Sequence, residues 1–404
     1  MLGYIILFGV LGLLFGVFAT PWVIKLAWHF GVVRYPPSHY LKQAQEKGIA
    51  IDRFKLMTIK RRLEKPPTPE WGGIAYVAGF LILSTIGLLI SKDINLGAQL
   101  LSDYIWWGLS ILFLFTINVI DDKFELSSIV LLIAYFVTSL LFIASNFLLD
   151  TVTLPFGNSL HIDIAQIGFW VGPLKVHFNI WTDLLLIPYF LFIILALKVQ
   201  AGADAVMETN TFVALLWLAV LSFKTGLLTP AFLASILAGL LLGFIFYNWN
   251  PAKIWSGEAG DGTIGFIIAT FSIIGRANLS AILILFALPI IDWAYVLLKR
   301  LRRILRTHKK VWLILKMSDK NHLHHRLMKL GLTEPKVALA EASATFLLGL
   351  ILFITPIQYR NELLLITYVL IFIGMWITDI LASKAELKKH ITKEPQRIFT
   401  KIED

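Results

Sequence analysis

The chain contains no cysteine. Disulfides, thiolate nucleophiles and thiolate metal sites are excluded, which leaves histidine and carboxylates as metal ligands. Charge is also scarce. Asp, Glu, Lys and Arg make up 15% of the 404 residues, against 57% hydrophobic residues and a mean hydropathy of +0.76. A soluble domain carries more charge and cannot hide so much apolar surface. The first apolar run, from Met1 to about Ile24, lacks a basic start and an A-x-A-like cleavage site, so it is expected to be a retained span and not a signal peptide. The scarce charge is uneven, with 36 Lys and Arg against 26 Asp and Glu. In so apolar a chain this excess points to anionic lipid and phosphate-bearing substrates and away from nucleic acid.

What is abundant is apolar sequence in stretches of about 20 residues, each long enough to cross roughly 30 Å of hydrocarbon. The expected fold is an all-α polytopic membrane protein of eleven spans, near 4–24, 72–91, 104–120, 129–149, 181–198, 209–223, 229–247, 262–276, 279–298, 337–356 and 362–382. With eleven spans, 31 of the Lys and Arg fall on one face and 5 on the other. Basic residues of short loops stay cytoplasmic, so the N-terminus is expected outside and the C-terminus inside. The organisation expected is a single membrane domain over 1–404. It has basic cytoplasmic loops 25–71 and 299–336, partly helical on the membrane surface, and a cytoplasmic tail 383–404. The exterior loop 150–180 carries partial alternation and turn residues at Pro155, Gly157, Asn158 and Gly172, which predict a small β-hairpin.

Five segments bring polar residues to the expected cytoplasmic face. KPPTPEWGGIAY (Lys65–Tyr76) stiffens a span entry with three prolines and offers Gly72-Gly73 for close backbone approach; taken alone it reads first as a plain rigid membrane-entry turn. NVIDDKFELSS (Asn118–Ser128) sets Asp121 and Asp122 side by side, suited to a divalent cation and a proton, or to a solvated span end whose Asp caps the next helix. LKVQAGADAVMETN (Leu197–Asn210) carries Asp204 and Glu208 in a tight connection. NWNPAKIWSGEAGDGTIGF (Asn248–Phe266) places Asn248, Asn250, Lys253, Glu258 and Asp261 in a glycine-rich loop opening a helix, a composition that favours a metal–diphosphate site over plain anion binding. SDKNHLHHRLMKLGL (Ser318–Leu332) crowds His322, His324, His325 and Arg326 together; zinc or an ordinary basic surface is the alternative, and imidazoles beside arginine suit phosphate better. On a helix His322 and His325 would share a face. Asp292, inside a span by hydropathy, is expected to pair with a cytoplasmic Lys or Arg.

Taken together, TPEWGG, INVIDDK, NWNPAKIWSGE, PIIDWAYVLLKR and DKNHLHHRL resemble the polyprenyl-phosphate N-acetylhexosamine-1-phosphate transferase superfamily over about Lys60 to Leu332. The last two look closest to its bacterial teichoic acid and O-antigen branch. The resemblance implies transfer of a HexNAc-1-phosphate, by default GlcNAc-1-phosphate, from a UDP-sugar to polyprenyl phosphate, with release of UMP. It implies Mg²⁺, with Mn²⁺ as a substitute, held by Glu258 with Asp122 or Asp261. Asp121 or Asp122 would deprotonate or orient the lipid phosphate, and Asp204 matches a further acidic position. His322, His324, His325 and Arg326 would bind the donor's phosphates, with Lys65, Lys123, Asn248 and Lys253 as further substrate-binding candidates; a snorkelling flank is the alternative for Lys123. The chain departs from the family pattern at Lys198, where Asn is usual, at Ala201, where Asp is usual, at Glu258, which replaces an Asp, and at Asp261, where Ser is common. These departures keep open a catalytically degenerate member that binds polyprenyl phosphate. A transporter is a third reading, with Asp292 its one candidate midplane charge. The expected partners are a UDP-sugar, polyprenyl phosphate and the bilayer, with a homodimer left open.

Overall fold

A computed structural model describes residues 1–38, 65–91, 98–145, 147, 151–153, 159–161, 166–171, 174–274, 279–307 and 321–399. All eleven expected spans fall on helices. These are α1 (Leu2–His29), α2 (Gly72–Ile90), α3 (Ala98–Phe124), α4 (Ser128–Ile143), α5 (Ile180–Lys198), α6 (Val206–Lys224), α7 (Leu228–Asn248), α8 (Gly257–Ile274), the pair α9 (Leu279–Leu285) and α10 (Ala287–Thr307), α12 (Glu334–Ile354) and α13 (Arg360–Phe399). A short helix, α11 (Leu323–Lys329), carries the histidines.

Among the described residues, eight helices are long and apolar enough to cross a bilayer: α1, α2, α3, α5, α6, α7, α12 and α13. The chain is thus a multi-pass membrane protein. The α9–α10 pair makes a ninth if taken as one span, though it bends by 70° at the break. The two remaining expected spans differ in kind. α4 has 16 residues, short for a 30 Å core at 1.5 Å per residue. α8 is buried along nearly its whole length, because it lies in the middle of the bundle against α2, α3 and α5.

The outer helices show large apolar side chains to their surroundings, among them Phe18, Trp22, Leu89, Ile129, Leu185, Ile354 and Val369. In water such a surface would be a liability; in hydrocarbon it is the required solvent face. Inside, helices associate by close packing of small residues. α1 crosses α7 with Gly12 and Gly16 facing Gly239 and Gly243. A Cβ on Gly12 would lie 2.6 Å from the Ile236 carbonyl oxygen, and one on Gly243 would lie 2.5 Å from that of Leu13.

Two antiparallel hairpins follow α4. β3 (Thr151–Thr153) pairs with β4 (Ser159–His161), and β5 (Gln166–Val171) with β6 (Leu174–Asn179) in the register Gln166↔Asn179 to Val171↔Leu174. The expected β structure in 150–180 is thus present, as two hairpins. They sit at the α5 end opposite Lys198. A further two-residue ladder joins β1 (Val33–Arg34) to β2 (Thr68–Pro69). The surface helices expected in the two basic loops fall largely on 39–64 and 308–320, outside the described residues.

Gly243→Leu should force α1 and α7 apart, since the obstructing atom is backbone. The expected cost is about 1–3 kcal/mol, read as a lower thermal midpoint of the detergent-solubilised protein. An unchanged midpoint would remove this helix contact from the fold.

Candidate functional site

The site gathers at one end of the bundle, where α3, α5 and α7 finish and α6 and α8 begin. Its lower wall is made by the TPEWGG segment. Trp71 adopts a left-handed backbone (φ 85°) ahead of α2, held by its indole donating to the Val119 carbonyl at 3.2 Å. The chain then runs against the glycine-rich loop: Gly72 N–H donates to Trp255 O, Gly73 N–H to Ser256 O, and Trp255 N–H to Pro69 O. The backbone of Ala259 and Gly260 lies where a Cβ on Gly73 would be, so this approach requires glycine.

Asp122 closes the wall. Its two oxygens accept the backbone N–H groups of Glu258 (2.6 Å) and Ala259 (3.1 Å). A carboxylate from α3 thus caps the N-terminus of α8, where free N–H groups and the helix dipole favour negative charge. Gly257, at φ +68°, makes the turn and leaves room, since a Cβ there would lie 2.6 Å from Asp122 Oδ2. Asp121 turns the other way and accepts Leu126 N–H at 2.6 Å, closing the end of α3. Neither aspartate caps α4; Ser127 does. Asn118 ties α3 to α8 through Thr263 at 3.1 Å.

Asp204 is a hub. Oδ1 accepts from Lys65 Nζ (2.6 Å) and Trp255 Nε1 (2.9 Å), and Oδ2 from Asn250 Nδ2 (2.9 Å) and Ala252 N–H (3.2 Å). Glu334 joins it by accepting from Asp204 N–H and Lys65 Nζ. Burial favours the neutral acid, but Lys65, Trp255 and Asn250 outweigh it and hold the Asp204 carboxyl below its usual range. A carboxylate with four donors is a brace and a poor proton acceptor, so the expected catalytic role does not suit it. Lys65 is likewise spent on carboxylates.

The pocket, about 270 Å³, is lined by six carboxylates: Glu70, Asp122, Asp204, Glu208, Glu258 and Asp261. Arg34, Lys65, Asn248 and His325 also reach it. Asn248 donates to Ile254 O at 2.9 Å, and its Oδ1 is buried without a hydrogen bond among the described residues. Glu208 accepts from Ser256. Lys123 lies over the rings of Phe30 and Phe124, as a snorkelling flank does, and Lys253 is exposed; neither lines the pocket.

The histidine cluster splits. His322 Nδ1 lies 2.9 Å from Asp292 Oδ2, and Arg326 donates to Asp292 Oδ1 at 2.8 Å. Arg326 is buried, also reaching the Met375 carbonyl and Thr378, so it does not face a ligand's phosphates as expected. Asp292 has the cationic partner expected for it. His324 is buried against Gly202, with Nε2 unpartnered among the described residues. Only His325 lines the pocket, so His322 and His325 do not act from one face.

Sequence reasoning left Arg34, Glu70 and Glu208 out of the site. Glu70 and Glu208 stood inside recognised segments, whereas Arg34 had no signal; it pairs with Glu70 at 2.9 Å. Lys198, noted as a departure, lies 2.5 Å from Glu258 Oε2 and 3.3 Å from the Tyr135 hydroxyl.

The oxygen-rich donor set of Asp122, Glu258 and Asp261 fits a hard divalent cation. Asp261 Oδ1 supports the fit, being buried with no hydrogen-bond partner among the described residues. In the present side-chain arrangement the described residues form no closed cage of three acidic or histidine ligands.

Residues 104–276 match the family described as glycosyl transferase family 4. A probable undecaprenyl-phosphate N-acetylglucosaminyl 1-phosphate transferase of Bacillus subtilis (strain 168) is 24% identical over 348 residues, covering 85% of this chain and 86% of that protein. A phospho-N-acetylmuramoyl-pentapeptide-transferase of Clostridium botulinum (strain Eklund 17B / Type B) is 28% identical, covering 73% of this chain and 84% of that one. A decaprenyl-phosphate N-acetylglucosaminephosphotransferase of Mycolicibacterium smegmatis is 24% identical, covering 78% and 73%.

Burial, reinforced by the charges of His325, His322 and Arg326, holds His324 well below its ordinary value of 6.5. The unfolded chain takes up this proton at higher pH than the folded chain. The contribution of neutral His324 is therefore complete above 6.5 and is lost as pH falls. Asp204, with its lowered value, is lost only in stronger acid. Between about pH 7 and about pH 5 the wild-type thermal midpoint should lose ground relative to that of His324→Gln. An equal change in that variant would show that His324 is not the group responsible.

Proposed function

We propose that the chain, whose residues 104–276 match the glycosyl transferase family 4 model, transfers GlcNAc-1-phosphate, or a related HexNAc-1-phosphate, from a UDP-sugar to polyprenyl phosphate. The observation that carries this reading is the docking of Asp122 on the Glu258 and Ala259 amides. It joins Asp122 of the aspartate pair to the acidic glycine-rich loop in one pocket, which His325 also enters.

In the reaction a lipid phosphate oxygen attacks the β-phosphorus of the donor. The bond from that phosphorus to the bridging oxygen breaks, and UMP leaves with the oxygen. Two anionic phosphates must approach each other, so neutralising charge is the first requirement. The lining has more carboxylates than cations, which makes a bound cation necessary for a diphosphate to enter. Asp122, Glu258 and Asp261 would hold Mg²⁺ or Mn²⁺, which supplies that positive charge. Asp122, the member of the pair that lines the pocket, orients the lipid phosphate and accepts its proton. His325 and Arg34 hold the donor's phosphates on the opposite side. Asp204, Lys65 and Glu334 fix the loop between α5 and α6 against the loop after α7, so that the pocket keeps its shape.

The polyprenyl chain stays in the bilayer, which brings donor and acceptor together at the membrane plane. The topology proposed is eleven spans. It counts the eight long helices, the bent α9–α10 pair, the short α4 and the buried α8. The N-terminus lies outside, and the pocket is cytoplasmic together with most Lys and Arg. Absence of native cysteine makes this directly testable. A single cysteine at Ser159 should react with an impermeant maleimide in intact cells, and one at Lys329 only after permeabilisation. The reverse pattern would invert the topology.

Purified protein given UDP-GlcNAc, polyprenyl phosphate and Mg²⁺ should release UMP. Asp122→Asn should lower turnover at least about a thousandfold while the protein still folds with a somewhat lower thermal midpoint, since the amide oxygen keeps one of the two α8 N–H bonds and the amide NH2 loses the other. Wild-type protein that binds polyprenyl phosphate but releases no UMP with any of several UDP-sugars would leave the degenerate binder as the reading. The Lys198–Glu258 contact is the observation that favours it.

A further inference from the structure

Lys198 and Glu258 are two of the four departures from the family pattern, and they meet. Lys198 ends α5, and Glu258 lies in the first turn of α8. Its Nζ is 2.5 Å from Glu258 Oε2 and donates to the Tyr135 hydroxyl of α4 at 3.3 Å. Side-chain exposure is 20% for the lysine and 33% for the glutamate, so water reaches this pair only partly. The C-terminal end of α5 adds its partial negative charge beneath the ammonium. This cation is therefore held from three directions, and it stands on one of the three carboxylates assigned to the metal. The other two are placed differently. Asp122 is fixed by the α8 amides, and Asp261, one turn along α8 from Glu258, has a buried oxygen without a hydrogen bond among the described residues.

We propose that Lys198 is a resident counter-ion of Glu258 that sets the affinity of the pocket for divalent cations. A metal ion drawing on Glu258 must displace the ammonium or lie beside it, and either course opposes binding. The extra methylene of Glu258 relative to aspartate lets its carboxylate reach Lys198. The arrangement leaves the pocket less negative without metal, and makes metal loading compete with an internal ion pair. This inference rests on the metal assignment given above, and it goes further by identifying a residue that tunes that metal without being a ligand.

The test is Mn²⁺ binding to the purified full chain without substrates, followed through the electron paramagnetic resonance signal of free Mn²⁺. Lys198→Gln removes the charge and should tighten Mn²⁺ binding roughly tenfold or more. Lys198→Arg keeps the charge and should stay within about twofold of wild type. Adding Glu258→Gln to Lys198→Gln should abolish the gain, because the competed carboxylate is gone. Thermal melts of each variant identify any that fail to fold, and the arginine variant controls for loss of packing around the stem. Equal or weaker Mn²⁺ binding by a folded Lys198→Gln protein overturns the inference while leaving the metal assignment in place. Absence of Mn²⁺ binding in wild type and in every variant overturns both.

Discussion

The site depends on one contact: a carboxylate of α3 seated on the first free amides of α8. The interaction is local in geometry and distant in sequence, since Asp122 and Glu258 lie in different motifs. Capping interactions of this kind contribute about 1 kcal/mol, and a charged acceptor at a helix N-terminus adds to that. Its consequences for the fold exceed its energy. It fixes the depth at which α8 enters the bundle, and so where Glu258 and Asp261 present their side chains. It demands glycine at 257 for conformation and for space. The close passage of Gly73 beside Gly260 and the Asn118–Thr263 bond brace the same helix from α2 and α3. The helix α8, buried along nearly its whole length, is therefore aligned from two sides before any ligand arrives.

The distribution of charge around this contact is uneven in an informative way. Cations that looked free in the sequence are committed to architecture. Lys65 is divided between Asp204 and Glu334, Arg326 is sealed against Asp292, and Lys299 is paired with Asp379. At a membrane edge an uncompensated buried charge is costly, and long basic side chains reach the nearest carboxylate. The carboxylates left to line the pocket outnumber its cations. Such a lining repels a diphosphate unless another positive charge enters with it. The acidic excess of the pocket and the basic excess of the whole chain are thus separate features. The second concerns the bilayer and topology, and the first concerns the reaction.

Hydropathy made the helices legible because hydrocarbon imposes one rule along the whole chain: apolar residues for about 20 positions and every backbone group satisfied internally. It could not distinguish a lipid-facing span from α8, which is apolar because it is surrounded by protein, nor reveal the 70° break before α10. The sequence marked the segments that meet at the pocket where a residue type is needed at a fixed place, as in Asp122, Gly72-Gly73 and the acidic glycine loop. It was not legible where the role depends on which neighbour arrives from elsewhere. His322, His324 and His325 are nearly consecutive, yet one pairs with Asp292, one is buried under Gly202 and one reaches the pocket. Asp204 carries four donors from two distant segments, and no local pattern distinguishes such a brace from a base.

Lys198 and Glu258 illustrate the same limit from the other direction. Read along the chain, each is a separate loss: an amide replaced by a charge, and a short carboxylate replaced by a longer one. In three dimensions they form a single ion pair across the α5–α8 contact. A lysine at 198 without a carboxylate in reach would strand an ammonium among packed helices, a cost of several kcal/mol in a low-dielectric setting. A glutamate at 258 without the lysine would add unbalanced negative charge to a pocket already rich in it. Each substitution removes the penalty of the other, so the two count as one change in the electrostatics of the pocket. Degeneration would be expected to erode residues independently. A matched pair of opposite charges at the edge of the pocket is better explained as a joint adjustment than as two separate losses.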